Sequence, residues 1–345
     1  LRGLTQLDPG ETWLVKPRKL NDEGTLWSPG LRDGVRPGSW YHTHECFGPV
    51  LGIMRADTLD DAIRLQNSTG YGLTGGLHSL DEKEIAYWRN RVEVGNAYIN
   101  RGITGAIVER QSFGGWKNSS IGSGAKAGGP NYVGQQGTWT DGDLSVRPNI
   151  SVNPTVARLL RDLESRFGAA LTDDDRTWLW RAAELDAVAW RDEFGVEHDR
   201  TALIAESNVF RYRPLIEPLN VRVGDNYALR DLLRLVLASR LTGTKIVISA
   251  NELDAQLTEL GALGARIRQV SDKAFANEIA HKPSCRVRTL GEVDLALYEA
   301  AVESSSVILD QDVLADGRRE LLPFLLEQAV STTNHRFGYI KGRSH

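Results

Sequence analysis

The run Ile99-Asn100-Arg101-Gly102-Ile103-Thr104-Gly105-Ala106-Ile107-Val108-Glu109-Arg110-Gln111-Ser112-Phe113-Gly114-Gly115-Trp116-Lys117 carries the residue types best suited to gripping an anion. Gly105 and Ala106 are small and adjacent, so their backbone N–H groups can approach a ligand closely, and glycine permits the angles a tight cradle requires. With Phe113 and the paired Gly114 and Gly115 behind them, they outline a carboxylate cradle fed by a short apolar strand. A strand leading into an ordinary glycine-rich surface loop fits the same local composition.

A second block, Glu45-Cys46-Phe47-Gly48-Pro49-Val50-Leu51, places a carboxylate beside an aromatic ring and a Gly-Pro turn. A carboxylate can accept two hydrogen bonds from vicinal hydroxyls, which is the chemistry of holding a ribose; a solvated loop acid is the plain alternative. Cys46 has no specified cationic neighbour to favour its thiolate, so it reads as a packing residue, and so does Cys285. His42 and His44 alternate in a loop without a third and fourth ligand at recognisable spacing, which makes a weak metal pattern.

The first run resembles the aldehyde-anchoring loop of L-glutamate gamma-semialdehyde dehydrogenases, the pyrroline-carboxylate dehydrogenases of the aldehyde dehydrogenase superfamily. With Trp116 it is most similar to the dehydrogenase half of bifunctional proline utilization A proteins. The second run resembles the nicotinamide-site motif of the superfamily. The resemblance implies that Glu45 holds the nicotinamide ribose with Phe47 beside it. It also implies that the Gly105 and Ala106 amides bind the substrate's remote carboxylate and that Phe113 lies against the aliphatic chain. Ser112 departs from the pattern, since relatives commonly carry proline there.

By the same resemblance the cofactor is NAD, and a proline dehydrogenase half with FAD would lie far upstream. The catalytic cysteine, the general-base glutamate and the cofactor-binding glycine turn also lie upstream in this family, so no catalytic residue is expected within these residues. The chain is accordingly expected to be the C-terminal fragment of a longer polypeptide, whose missing N-terminal part is its first partner and an acidic aldehyde its substrate. A noncatalytic module that lids a channel or joins subunits, with homo-oligomers in view, is the rival reading.

At 345 residues, with 25% charged and 41% apolar residues, the composition is that of an ordinary globular protein large enough for two domains. A net charge of −4 gives no electrostatic reason to expect nucleic acid as a partner. Two cysteines supply no disulfide framework and fit a reducing cytoplasm. No apolar run is long enough to cross a bilayer.

The elements that must position these residues read as an α/β fold in three parts. Residues 1–132 are expected to be the C-terminal part of an aldehyde dehydrogenase catalytic domain. Strands are expected at 11–15, 50–56 (buried) and 97–99, helices begin at the capping residues Thr58 and Asp81, and 18–44 is mostly loop. Residues 133–204 begin with a Gly/Asp/Ser/Pro-rich linker over 134–154 and continue as two amphipathic helices between 154 and 194.

Residues 205–345 alternate short apolar strands (221–223, 245–249, 266–270, 285–287, 306–309) with helices (228–241, 252–263, 271–281, 292–303, 317–328). That alternation predicts a Rossmann-like, doubly wound parallel sheet. Val223-Gly224-Asp225-Asn226 has one glycine where a dinucleotide fingerprint wants three, which speaks against nucleotide binding here. With Glu206 to Pro214 this portion resembles the C-terminal domain of longer proline utilization A proteins, a resemblance that implies a noncatalytic domain covering an internal channel. The closing run, Ala329 to Ile340, reads as a strand or flap that packs on another part of the parent or on a second subunit.

Overall fold

The computed structural model describes residues 1–336, 339 and 340. Its first unit is held by one arginine. α1 (Arg2–Thr5), β1 (Thr12–Val15), β2 (Gly30–Asp33), α2 (Trp40–Thr43) and β3 (Val50–Gly52) form a three-stranded sheet with β2 central, antiparallel to β1 and parallel to β3. Arg32 on β2 is buried, pairs with Glu11 at 2.8 Å and donates to the carbonyls of Gly3 and Gln6. Its guanidinium lies over the rings of Trp13 and Tyr41. The stretch 18–44, expected as loop, thus contains a strand and a short helix. Arg32 finds its acid partner only by long-range pairing, and Ser39 caps α2 by accepting from His42 N. β3 is shorter than expected and not buried: it is an edge strand paired only with β2 among the described residues, and Leu51 stands exposed on it.

α3 (Leu59–Asn67), β4 (Tyr71–Gly72), β5 (Thr74–Leu77), α4 (Glu82–Arg89), β6 (Asn96–Ile99) and β7 (Trp116–Lys117) follow. Thr58 caps α3 by accepting from Asp61 N. Asp81 caps α4 through Lys83 N rather than in a box with Glu84, whose carboxylate instead accepts the Ser79 hydroxyl at 2.6 Å. Ile63, Trp88, Val92 and Val94 pack against Ala97 and Ile99, so the helices cover one face of buried β6.

The segment over 134–154 is not a free linker. The Asp141 carboxylate accepts from the amides of Ala315 and Asp316, each at 3.0 Å, and Arg181 reaches the Val146 carbonyl. α5 (Pro154–Phe167) and α6 (Asp173–Ala189) form where expected, the second with a capping box between Thr172 and Asp175. Val156, Leu160, Leu163 and Phe167 recur at helical spacing and enter the main core.

After β8 (Glu206–Pro214) come β9 (Leu219–Val223), α7 (Leu229–Thr242), β10 (Ile246–Ala250), α8 (Ala255–Ala262), β11 (Ile267–Gln269), α9 (Asp272–Ala280), β12 (Arg286–Leu290), α10 (Ala296–Ser304) and β13 (Val307–Leu309). The five strands β9 to β13 form one parallel sheet in the order β11-β10-β9-β12-β13, the doubly wound arrangement expected. The helix expected over 317–328 stops early: α11 spans Gly317–Glu320, a 3₁₀ turn holding Pro323 follows, and Leu325 begins a strand. Proline removes a helical donor, and the pairing partners waiting beyond it decide the rest.

That strand, β14 (Leu325–Thr333), lies between β6 and β8 in a four-stranded sheet ordered β5-β6-β14-β8. It runs parallel to β6, with Ala329 opposite Asn96, and antiparallel to β8 over nine residue pairs. The closing run as far as Thr333 therefore pairs within its own chain, where β6 and β8 offer backbone groups on both its sides. β15 (His335–Arg336) and β16 (Tyr339–Ile340) form a two-stranded ladder beyond it; Phe337 and Gly338 lie outside the described residues. The divisions at 132 and 205 do not coincide with a division between sheets, since strands from both parts build this one.

Two buried groups yield measurable consequences. Arg234 grips Asp186 with two hydrogen bonds, at 2.8 and 2.6 Å, with both side chains essentially inaccessible. Arg234→Met strands a buried carboxylate and is expected to cost about 3–5 kcal/mol in urea unfolding, with part regained on adding Asp186→Leu. Lys126, 1% exposed, donates to Asn96 Oδ1 and the Gly114 carbonyl, and burial lowers its pKa from 10.5 to about 7 despite Glu327 nearby. Between those values the unfolded chain binds the proton that the folded chain has released. Stability should therefore rise with pH across that interval relative to a Lys126→Met variant, by up to about 1.4 kcal/mol per pH unit.

Candidate functional site

The loop between β6 and β7 is pinned at its start, at the Gly105 carbonyl and again from Ile107 onward, whereas residues 102–104 make no hydrogen bond among the described residues. Asn100, at φ 56°, exchanges hydrogen bonds with the backbone of Ser79 as the chain leaves β6. The Tyr98 hydroxyl donates to the Gly105 carbonyl at 2.6 Å. Ile107 N donates to Gln111 Oε1 at 2.7 Å, and the Ile107 carbonyl accepts from the amides of Arg110 and Gln111. Farther on, the Asn96 side chain donates to the Ser112 carbonyl and accepts from Gly114 N, and Phe113 exchanges backbone hydrogen bonds with Ala127. The Phe113 ring is half-buried on this frame.

Gly105 is exposed and Ala106 half-exposed, and among the described residues neither amide has an acceptor. A methyl group built on Gly105 meets nothing within 4 Å. Gly105 does not take a left-handed conformation; Asn100, Glu109 and Lys117 supply the positive φ angles of this loop instead. Neither crowding nor backbone angle within this chain thus calls for glycine at 105; a side chain there would project into the open space beside the amide.

The loop is also tied to β8. Arg101 and Arg110 both pair with Glu206, at 3.1 and 3.0 Å, and the buried Gln111 side chain donates to Asn208 Oδ1 at 2.7 Å. Burial raises the Glu206 carboxyl, but the hydrogen bond from Asn208 and the charges of Arg101 and Arg110 hold it below its ordinary value. Ser112, in the position where proline is common, donates to the Gly128 carbonyl at 3.2 Å and so replaces a rigid ring with a hydrogen bond.

In the first unit, the α2 turn presents Glu45 and Phe47 outward. Glu45 is exposed and, among the described residues, unpaired, while the Phe47 ring is 97% exposed. Tyr41 donates to the Val50 carbonyl and Gly30 N to the Pro49 carbonyl, so the residues after Gly48 are anchored while the acid and the ring are not. Among the described residues no hydrogen bond or ion pair joins residues 1–57 to the rest. Gly105, Ala106 and Phe113 therefore share one loop, and Glu45 with Phe47 occupies a separate unit.

Cys46 lies against Gly3, where an added methyl would meet its sulfur at 2.7 Å, and Cys285 is buried with its thiol pushed up by desolvation. His44 stacks on Trp40, and His42 Nδ1 accepts from Gly38 N. Among the described residues no group of three or more His, Cys, Asp or Glu is arranged to hold a metal.

In the parallel sheet, the order of connection reverses between β9 and β12, where an open α/β fold places its ligand crevice. That crevice is stitched shut. Asp225 and Glu292, on the loops leaving those strands, exchange backbone hydrogen bonds at 3.1 and 2.8 Å. A methyl on Gly224 or on Gly291 would collide with the opposite loop's backbone. Both glycines thus serve close loop-to-loop packing rather than approach to a phosphate.

Tyr98, Gln111, Glu206 and Asn208 were not singled out from the sequence as site residues. The signal for Tyr98 was available: a phenol in a fully buried strand must find an acceptor. The others depend on β8 lying beside the loop, which local pattern does not disclose.

Residues 5–136 match the model of the aldehyde dehydrogenase family. Over 261 residues the chain is 31% identical to the bifunctional protein PutA of Rhizobium meliloti, a match spanning 73% of this chain and 20% of that one. It is 40% identical over 113 residues to the 1-pyrroline-5-carboxylate dehydrogenase of Geobacillus thermodenitrificans (strain NG80-2), spanning 33% of this chain and 22% of that protein. The structure of proline utilization A (PutA) from Corynebacterium freiburgense superposes with a TM-score of 0.80 at 55% identity, covering 98% of this chain and 31% of that one. The chain thus spans about a fifth to a third of the length of these relatives. Residues 5–136 thus carry the match to the aldehyde dehydrogenase family, and almost the whole chain superposes on the proline utilization A structure.

Proposed function

We propose that this chain is the substrate-positioning and ribose-holding portion of an NAD-dependent dehydrogenase that oxidises L-glutamate gamma-semialdehyde to glutamate in proline breakdown. The observation that carries this reading is the pair of adjacent amides at Gly105 and Ala106, without acceptors among the described residues, at the point where the loop is pinned by Tyr98 through the Gly105 carbonyl and by Gln111 through Ile107 N. Two converging N–H dipoles suit a carboxylate, and Phe113 offers an apolar wall to the carbons between that carboxylate and the aldehyde. Holding the far end fixes the reacting end, and orientation of this kind supplies a large part of a barrier reduction.

NAD, when bound, accepts the hydride, and Glu45 fits its ribose because it is an exposed carboxylate with its lone pairs free for two hydroxyls. Phe47 presents a bare ring beside it. Cys46 packs against Gly3 and the Cys285 thiol is pushed up by burial, and in this reading the nucleophile and the general base are supplied by polypeptide outside these residues. In a bifunctional parent that polypeptide would include an FAD-bearing proline dehydrogenase half. Residues 205–345 act as a noncatalytic scaffold, a reading supported by the stitched crevice and by the Glu206 and Asn208 tethers to the loop.

Two measurements test this. The isolated chain mixed with semialdehyde and NAD should give no NADH above the blank; sustained turnover would mean that the chain holds its own nucleophile. In the full-length polypeptide, Gly105→Val meets no neighbour and should leave the melting temperature unchanged. By filling the cradle it should raise the KM for the semialdehyde roughly tenfold or more while altering that for propanal little. Equal effects on both aldehydes would remove the cradle.

A further inference from the structure

We infer that Tyr98 is a positioning residue for the acidic aldehyde: its buried hydroxyl, by holding the Gly105 carbonyl inward, aims the Ala106 amide outward at the carboxylate. This rests on the cradle reading above and goes beyond it by assigning the aim of one amide to a residue that touches no ligand.

The argument is stereochemical. No peptide bond in the described chain is cis. In a trans peptide the carbonyl of one residue and the N–H of the next point in opposite directions. The Gly105 oxygen is fixed by Tyr98 at 2.6 Å, so the Ala106 N–H, on the same peptide plane, must face the other way. The next plane is fixed as well, through the Ile107 N–H to Gln111 Oε1 at 2.7 Å. Ala106 thus sits between two pinned planes, which sets both of its backbone dihedrals. The Thr104–Gly105 plane has no such tether, so the Gly105 amide can adjust to the ligand while the Ala106 amide is pre-aimed.

Tyr98 is built for this. It is 1% exposed on β6, so the ring cannot swing away, and burial keeps its phenol protonated as a donor against the opposing charge of Arg101. Gln111 is itself buried and held by Asn208. Removing the Tyr98 hydroxyl leaves the Gly105–Ala106 peptide free to rotate, and the lost preorganisation should be felt only by a ligand that uses the amide.

The test compares Tyr98→Phe and Ala106→Pro, the latter deleting the N–H itself, in the full-length polypeptide with the semialdehyde and with propanal. Tyr98→Phe should raise the KM for the semialdehyde roughly five- to tenfold, with kcat within about twofold and propanal kinetics and melting temperature unchanged. If Tyr98→Phe leaves that KM unmoved while Ala106→Pro raises it, the positioning role is wrong and the cradle stands. Should Ala106→Pro also fail to discriminate between the aldehydes, the cradle itself is wrong. Equal losses on both aldehydes from Tyr98→Phe would mean that the tyrosine only packs.

Discussion

The structure depends on one backbone pairing: β14 lying between β6 and β8. An unpaired strand edge in the middle of a fold leaves a row of buried donors and acceptors without partners, and here β14 satisfies both neighbours at once. Its side chains extend the effect. Glu327 accepts from Lys126 N and Asn131 Nδ2, its carbonyl accepts from the Trp116 indole at 2.7 Å, and Gln328 donates to the Val94 carbonyl. The strand thus fixes β6 before the anchor loop, Trp116 after it, and the tail that follows.

Through that sheet the Rossmann-like part bears on the loop, while the loops over its own switch point pair with one another. β8 brings Glu206 and Asn208 under Arg101, Arg110 and Gln111, while the loops over the switch point close on one another. At the place where such a fold elsewhere opens a cleft, the two loops here close on one another, so the fold by itself assigns no ligand to this domain.

What the sequence disclosed follows what is local. The α5 and α6 helices, the Thr58 cap of α3 and the strand–helix alternation after residue 219 were legible because periodicity and capping are short-range signals. The two small residues of the loop stand out in the sequence because close approach to a backbone amide depends on their own size, and among the described residues both amides lack an acceptor. β2 was hidden in a Gly- and Pro-rich stretch, since Arg32 makes sense only beside Glu11, Trp13 and Tyr41. Leu325 to Gln328 carry helix-tolerant residues, and nothing local says that two open edges await them. The Tyr98 contact was half legible: the need for an acceptor, but not which one.

The separation along the chain between β6 and β14 has a consequence during synthesis. Gln328 and the Val94 carbonyl it meets are 234 residues apart. At ribosomal rates of about 5–20 residues per second, the β6 edge emerges and then waits roughly 12–47 s for the strand that covers it. Over that interval its polar rim is open to any passing strand. The nascent protein is therefore most vulnerable to mispairing in its middle, and a pause in translation upstream of Leu325 would lengthen the exposure in proportion.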